Sequence, residues 1–425
     1  MMQKKCLAVP AVIAALALTG CEPDDGGDRG GQSVLRFEQY CKKEGLSASL
    51  RQTFILIDAK ALKRANLATE FAERNGFIRD LALAFANPKL ALASGLSDPR
   101  ERISVLLVPA DGSPAQLVFS GCMPGLSADE EAAARQGSSS MSEFFTGDSL
   151  KQLDEDARQF QLALIGGLTT AAKSGVEKPE PQTGAIAATP LFSAIRASRG
   201  ALEVPKGMLA RYVIVTDLSG ATFESADSQD APRKQGQDAG FKAGGDFGLS
   251  DVMIVQPAGV TPKGKDYLEG FLLAQGGLLA SYSSGNPTAG ARAPKSIRYF
   301  EGEAAYPSRT QRVNLRIADD GRGNLTSSWL TLLGGTNQPI PLTGRISCSA
   351  PSTCSIVSDD RGFAQVWTAQ PGGEPEFGNY VPFGGMRNFS FEIQGVELKG
   401  AVSDPMVQLQ NDGDSISVKA KATSR

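Results

Sequence analysis

The chain has 425 residues, and its 43 lysines and arginines against 46 aspartates and glutamates give a net charge of −3. A mildly acidic chain without a block of basic residues is poorly suited to bind a phosphate backbone, so no nucleic-acid partner is expected. The sequence contains no histidine. This removes the commonest general base near neutral pH and the usual partner of a catalytic serine.

Residues 1–20 have the pattern of an export signal. Lys4 and Lys5 precede an apolar run, Leu7 to Leu18, which is shorter than the roughly twenty residues that a membrane-spanning helix needs. Leu18-Thr19-Gly20-Cys21 resembles the bacterial lipobox, whose cysteine is acylated and becomes the mature N-terminus. We therefore predict cleavage before Cys21 and lipid attachment there. The alternative is an ordinary secretory signal followed by a chance cysteine.

The segment that follows is rich in glycine and aspartate. Residues 21–34 are too polar to bury a core and are expected to form a flexible tether. Glu22 stands where an aspartate usually retains such lipoproteins at the inner membrane. The sequence therefore predicts a membrane-anchored lipoprotein that faces the periplasm or lies at the cell surface, and it favours the outer membrane.

Four cysteines remain after the signal and the lipidated residue are set aside. An even number in an oxidising compartment predicts two disulfides, for which three pairings exist. Proximity in sequence favours Cys348 with Cys354, which leaves Cys41 with Cys122. A zinc site is the rival interpretation, but the chain has no CxxC motif and no histidine.

Residues 35–290 show strand and helix patterns in alternation, which predict an α/β three-layer sandwich. The strand Thr53 to Asp58 is an apolar run that ends in an acid, as buried parallel strands do. The aperiodic stretch 219–247 is expected to be a loop at the carboxyl edge of the sheet, where ligands bind in open α/β folds. Predicted strands are 53–58, 103–108, 116–119, 211–217 and 252–255, and predicted helices are 61–85, 149–173, 191–197 and 263–281. The second and third of these strands flank Asp111-Gly112, a dipeptide suited to a tight reversal, and are expected to form a β-hairpin.

Residues 294–425 change to short alternating segments separated by turn sequences, which predict a β-sandwich domain. The expected strands include 312–318, 325–332, 389–394 and 415–421. None of the acidic turns has the full ligand spacing of a calcium-binding EF-hand. A carbohydrate-binding platform is an alternative use of the aromatic residues, which are otherwise packing residues of the domain: Trp329, Trp367, Tyr380 and Phe383.

The order of elements over roughly residues 50–285 resembles a von Willebrand factor A domain. In that family a metal-ion-dependent adhesion site combines a D-x-S-x-S motif, a threonine before a later helix, and an aspartate after the fourth strand. Asp58, Thr189 and Asp217 match three of these positions, but Lys60 and Leu62 replace the two serines. The resemblance thus implies a degenerate adhesion site. Helix capping by Thr189 and strand-end acids that face water are the structural alternatives.

The degenerate site leads to an expectation about metal. If Asp58 and Asp217 converge, the two carboxylates need a cation, and the ammonium group of Lys60 can replace the divalent ion. We therefore predict no metal and no other cofactor. The alternative is that Lys60 faces solvent and a weak metal site survives through Thr189 and water.

The function predicted from the sequence is protein–protein interaction or adhesion by a lipid-anchored, non-catalytic envelope protein. The expected partners are an envelope or surface protein and, through the N-terminal lipid, the membrane. One alternative is a hydrolase that uses Asp58 or Asp217 as its base, which a strongly raised carboxyl pKa would indicate. A carbohydrate-binding β-sandwich lipoprotein is the other.

Overall fold

We analysed a computed structural model of the chain. It describes residues 37–41, 48–59, 61, 80–81, 84–85, 96–136, 147–174, 184–185, 190–216, 218, 221–222, 232–256, 262–284, 292–305, 310–333, 338–359, 366–369, 380–383, 389–402 and 416–424. Within these ranges, the helices are either too short or too polar to cross a membrane.

The described secondary structure is dominated by strands. The strands are β1 Arg51–Asp58, β2 Arg102–Val108, β3 Gln116–Cys122, β4 Gly184–Ala185, β5 Leu209–Val215, β6 Ala221–Thr222, β7 Ser250–Val255, β8 Gly277–Ser283, β9 Ser296–Ala305, β10 Thr310–Asp319, β11 Ser328–Leu333, β12 Gln338–Leu342, β13 Gly344–Ala350, β14 Thr353–Ser358, β15 Val366–Ala369, β16 Tyr380–Phe383, β17 Phe389–Gln394, β18 Glu397–Val402 and β19 Ile416–Thr423. The α-helices are α1 Ala128–Gln136, α2 Gly147–Ser174, α3 Pro190–Ala197, α4 Pro232–Ala243 and α5 Pro262–Ala274, and a 3-10 helix covers Arg199–Leu202.

Six strands of the N-terminal part form a mixed sheet in the order β3-β2-β1-β5-β7-β8. All neighbours are parallel except β2 and β3, which form the antiparallel hairpin expected around Asp111-Gly112. Both faces of β1 are buried, which explains its unbroken apolar sequence. Ile55 and Ile57 belong to a core with α2, and Phe54 and Leu56 to a core with α3 and α5.

Helices α4 and α5 touch through their backbones at glycines. A Cβ atom added to Gly236 would lie 1.9 Å from the carbonyl oxygen of Tyr267, and one added to Gly270 would lie 1.9 Å from that of Arg233. Only glycine fits at such distances, so these two residues fix how closely the helices approach.

Nine of the eleven described C-terminal strands form one antiparallel sheet, in the order β12-β11-β10-β9-β19-β18-β17-β14-β13, and β15 and β16 form a separate two-stranded sheet. The inward side chains of the nine-stranded sheet form a single apolar core, which includes Phe300, Ile317 and Phe391. Asn324 bridges to Arg345 of β13, so the turn after β10 reaches the opposite edge strand and the sheet almost closes on itself. Closure of this kind protects edge strands from pairing with other chains.

The predicted fold class is wrong. Strands outweigh helices in the described residues, and the first sheet is mixed. Nine of the described C-terminal strands are hydrogen-bonded into one nearly closed sheet. The coarser prediction of a β-rich C-terminal region is confirmed. Alternation and turn sequences identify strands, but they do not specify whether successive hairpins divide between two sheets or continue in one.

Two element predictions also need correction. The predicted helix 263–281 ends at Ala274, and Gly277–Ser283 is strand β8. Gly276 has φ +68°, the left-handed conformation that terminates helices. The predicted loop 219–247 contains helix α4, which begins with Pro232. Most of the predicted helix 61–85 lies outside the described residues.

Candidate functional site

The carboxyl edge of the six-stranded sheet carries Asp58, the first residue of the predicted site. Asp58 ends β1 and is buried, with 2% of its surface exposed. Thr216, which directly follows β5, is also buried, and its Oγ1 donates a hydrogen bond to Asp58 Oδ2 at 2.8 Å. Because β1 and β5 are parallel neighbours, this bond joins two adjacent strand ends. Thr216 is a site residue that the sequence reasoning did not single out.

The other predicted residues of this site, Lys60, Thr189 and Asp217, lie outside the described residues, as does Cys21. Lys60 and Leu62 stand where the D-x-S-x-S motif has its two serines, and neither side chain offers an oxygen ligand to a hard divalent cation. Among the described residues, no group of three or more Cys, Asp or Glu side chains is placed to hold a metal ion.

Both predicted disulfides are present. Cys41 bonds to Cys122 across 81 residues, and Cys348 bonds to Cys354 across six. The first ties the segment before β1 to the end of β3, and the second closes the β13–β14 hairpin. Since all four cysteines beyond Cys21 are paired, the cysteine inventory fits an oxidising compartment.

The amino edge of the same sheet holds a buried ion cluster that the sequence analysis missed. Arg51 Nη2 lies 2.9 Å from Glu101 Oε2, and Arg211 Nη2 lies 3.3 Å from Glu101 Oε1. Burial by itself raises the pKa of Glu101, but the guanidinium groups of Arg51 and Arg211, together with hydrogen bonds from Arg51 and Thr53, outweigh it and hold the pKa below its ordinary value. Glu101 therefore stays ionised.

A second buried carboxylate, Asp251, lies near the start of β7. Its Oδ2 accepts a short hydrogen bond from Ser327 Oγ in the C-terminal region. Burial raises the pKa of Asp251 and, together with repulsion from Arg51, lowers that of Arg211 to about 9. Within the described structure, Asp251 Oδ1 and Arg211 Nη1 are buried without a hydrogen-bond partner. A raised carboxyl pKa was the sign expected for a hydrolase that uses Asp58 or Asp217. The raised pKa belongs instead to Asp251 at the amino edge, whose hydrogen bond with Ser327 joins the two sheets.

A cavity of about 500 Å³ opens beside this edge, between the 3-10 helix, the loop before β7 and Arg316 of β10. Leu209 and Ser250, the first residues of β5 and β7, lie in its wall. The predicted ligand site was at the carboxyl edge, so this cavity lies at the opposite end of the strands. The sequence offered one signal for it: the mixture of arginines and glycines around residues 196–200 and 244–248.

Trp329 is not available for an aromatic platform that binds sugar. This side chain is fully buried and packs against Leu273 of α5. Trp367 lies in β15, and Tyr380 and Phe383 lie in β16, which pairs with it. The side chains of these three residues are outside the described part of the chain.

Comparisons with known proteins add little. No family model matches the chain, and no curated protein matches it. One solved structure that it matches is that of the human COPII-coat protein Sec24c, with 8% identity and a TM-score of 0.28, over 91% of this chain. The chain spans 45% of that protein's length. Similarity at this level carries no argument about fold or function.

Proposed function

We propose that the protein is a lipid-anchored, non-catalytic envelope protein that binds another envelope or surface protein through the carboxyl edge of its six-stranded sheet. The observation that supports this most is the hydrogen bond between Asp58 and Thr216. It fixes two neighbouring strand ends, and Lys60 and Asp217 follow these residues closely in sequence. Carboxyl ends of parallel strands are where open sheets bind ligands.

The proposed location is outside the cytoplasm, with Cys21 acylated at a membrane and the outer membrane favoured. The two disulfides support export, since they leave no free thiol after Cys21. The test is fractionation of the Cys21→Ala chain. It should be folded and either soluble or uncleaved, whereas the native chain should partition with membranes and carry lipid by mass spectrometry. A native chain that is soluble with a free Cys21 thiol would refute the anchor.

The degenerate von Willebrand factor A-type site is proposed to work without metal. Lys60 follows Asp58 by two residues and supplies the positive charge that the incomplete donor set cannot recruit as a divalent ion. Calorimetric titration with Mg²⁺, Mn²⁺ and Ca²⁺ tests this on the native chain and on Lys60→Ser. Binding only by the variant is the expected result, and micromolar binding by the native chain would contradict it.

The partner is best identified by crosslinking in intact cells followed by purification. We expect a defined envelope protein to be recovered with the native chain and lost with Lys60→Glu, because the substitution reverses the charge beside Asp58. The matched control is Lys399→Glu, which reverses an exposed lysine on β18. Equal recovery from Lys60→Glu and the native chain would place the partner elsewhere, and enrichment of glycan alone would favour the carbohydrate-binding alternative.

A further inference from the structure

The cavity at the amino edge has the construction of a small-molecule site. We propose that it binds an organic monoanion with an apolar body, such as a medium-length carboxylate. The cavity lies at the end of the strands opposite Asp58, so the inference is independent of the proposed protein–protein function. Its volume of about 500 Å³ falls within the 300–1,000 Å³ range that is usual for small-ligand pockets.

One part of the wall is apolar. Phe192 and Ile195 come from α3, Leu202 from the 3-10 helix, and Met208 and Phe247 from the segments before β5 and β7. Four of these five side chains are buried, so they are held in place by the core cluster of that face of the sheet. A methylene chain or a ring is the ligand part that such a wall prefers, because it removes apolar surface from water.

The hydroxyl group of Tyr212 supplies a donor at this wall. Tyr212 is 7% exposed, its ring stacks on Phe54 at 5.5 Å between centroids, and Phe247 packs edge-on against it. Within the described residues its hydroxyl has no hydrogen-bond partner, although a buried tyrosine usually finds one, and the charges of the cavity residues Asp246 and Arg199 act on it. Burial and then the charge of Asp246 raise the pKa of Tyr212 to about 12, so the group remains a donor at neutral pH.

Arg316 supplies the charge. It is 8% exposed, and two of its three guanidinium nitrogens are engaged: Nε donates to the carbonyl of Ser327 at 2.9 Å, and Nη2 donates to the carbonyl of Leu249. Both acceptors are neutral, and within the described residues no hydrogen bond is made by Nη1. Burial lowers the pKa of Arg316 to about 10, although the opposing charge of the buried Asp251 carboxylate acts to raise it, and Arg316 is still charged at neutral pH. A buried arginine held at two nitrogens is a preorganised anion receptor.

The balance of charge around the cavity is positive. Its lining contains three arginines, at 196, 199 and 316, against two acids, Glu203 and Asp246, which leaves a net charge of +1. Arg199 is paired with Asp246 at 2.6 Å, whereas Arg196 donates to the neutral carbonyl of Ala243. An anion therefore gains from the field of the cavity, and an organic cation of the same shape loses.

The test is calorimetric titration of the full chain with octanoate, and with octanol and octylammonium as neutral and cationic compounds of matched length. We expect octanoate to bind at one site, octanol more weakly, and octylammonium weakest. Tyr212→Phe keeps the ring and removes one hydrogen bond, so it should weaken octanoate binding about 3- to 10-fold. The matched control is Tyr267→Phe, a buried tyrosine of the same core cluster that does not line the cavity; its affinity should be unchanged.

Two charge substitutions in the cavity wall should change the affinity for octanoate in opposite directions. Asp246→Asn removes a negative charge from the wall, and its amide oxygen can still accept the hydrogen bond from Gly248 N, so octanoate should bind more tightly. Arg199→Gln should bind it more weakly. Three results would each overturn the proposal. The first is no binding of octanoate at millimolar concentration, and the second is equal binding of octylammonium. The third is that Tyr212→Phe and Asp246→Asn bind octanoate with the affinity of the native chain.

Discussion

The two sheets of this protein are stabilised in different ways. The six-stranded sheet buries the charges of Arg51, Glu101 and Arg211 at its amino edge, all at most 1% exposed. The core of the nine-stranded sheet is instead a continuous cluster of apolar side chains around Phe300 and Phe391. Charges are buried where parallel strands bring distant segments together, whereas the core cluster of the nine-stranded sheet is apolar. Arg316 of β10 is also buried, but it lies outside that cluster and donates to the carbonyl of Leu249, just before β7 of the six-stranded sheet.

Sequence distance explains the difference. In the six-stranded sheet, Arg211 Nε donates to Thr53 Oγ1 at 2.9 Å across 158 residues. In the nine-stranded sheet most neighbours are consecutive strands, such as β17 and β18 with their two-residue connection, although β9 also forms a long-range pair with β19. A long-range contact such as Arg211–Thr53 forms only after a long loop has been closed, which costs chain entropy. The stability of the six-stranded region therefore depends on a few strong long-range interactions. Substitutions in matched pairs, one from each region, test this contrast.

The disulfides give the largest expected difference. In the chain-entropy model, removing Cys41–Cys122 with two alanines should lower the free energy of unfolding by about 4.5 kcal/mol, since its cysteines are 81 residues apart. Removing Cys348–Cys354 in the same way should cost about 2.3 kcal/mol, because that loop is short. Denaturant titrations of both double variants measure this. An equal loss for the two pairs would mean that the six-stranded region does not depend more on long-range closure.

The buried ion cluster gives the next largest effect. Glu101→Gln leaves Arg51 and Arg211 buried without their counter-charge, so we expect a loss of about 3–5 kcal/mol of unfolding free energy. The matched substitution in the nine-stranded sheet is Glu397→Gln, which removes an exposed pair with Lys399 at 2.6 Å. Exposed pairs are screened by water, and no measurable loss is expected there. Urea titration compares the two variants.

The ion pairs of Glu101 predict that the free energy of unfolding depends on pH. The pKa of Glu101 is below its ordinary value of 4.5, so its contribution is complete above pH 4.5 and is lost as the pH falls through the lower, folded-state value. The stability difference between the native chain and Glu101→Gln should therefore shrink in acid. Asp251, whose pKa is raised, acts in the opposite direction in both proteins. A difference that stays constant down to complete unfolding would contradict this interpretation of Glu101.

Local patterns in the sequence predicted most strands but not how they assemble. The apolar runs at Thr53–Asp58 and the antiparallel hairpin after Arg102 were found from composition and turns alone. The disulfide pairing followed from proximity and elimination and is confirmed. The single nine-stranded sheet was missed, because the choice between one sheet and two depends on which edges meet across many residues.

The candidate sites show the same limit. Asp58 was identified because an acid that ends an apolar strand is a visible signal, and the structure adds Thr216 to it. Arg51, Arg211 and Asp251 stand at or near the beginning of strands, where a charge resembles ordinary flanking sequence. Their convergence with Glu101 depends on strand register and sheet order. The hydrophobic periodicity of a single segment gives no information about strand register or sheet order.

Glycine substitutions give smaller effects, and two positions show two distinct causes. Gly236→Ala places a Cβ 1.9 Å from the carbonyl oxygen of Tyr267, so α4 and α5 must separate. Overpacking of this kind should cost about 1–3 kcal/mol in thermal or urea unfolding. The control is Gly166→Ala in α2, where nothing lies within 4 Å of the added atom. Since alanine favours helix over glycine, the control should gain roughly 0.5–1 kcal/mol, and a loss there would remove the packing explanation.

The smallest effect is expected at Gly395, between β17 and β18. An added Cβ meets nothing within 4 Å, so space is not limiting, but φ is +62°. Left-handed backbone costs an alanine about 1 kcal/mol, while asparagine tolerates it better. The hydrogen bond from Gly395 N to the carbonyl of Ser352 at 2.8 Å is retained in either variant. Gly395→Ala should therefore lower the unfolding free energy by about 1 kcal/mol, and Gly395→Asn by less. If the two variants lose the same amount, φ does not determine the cost.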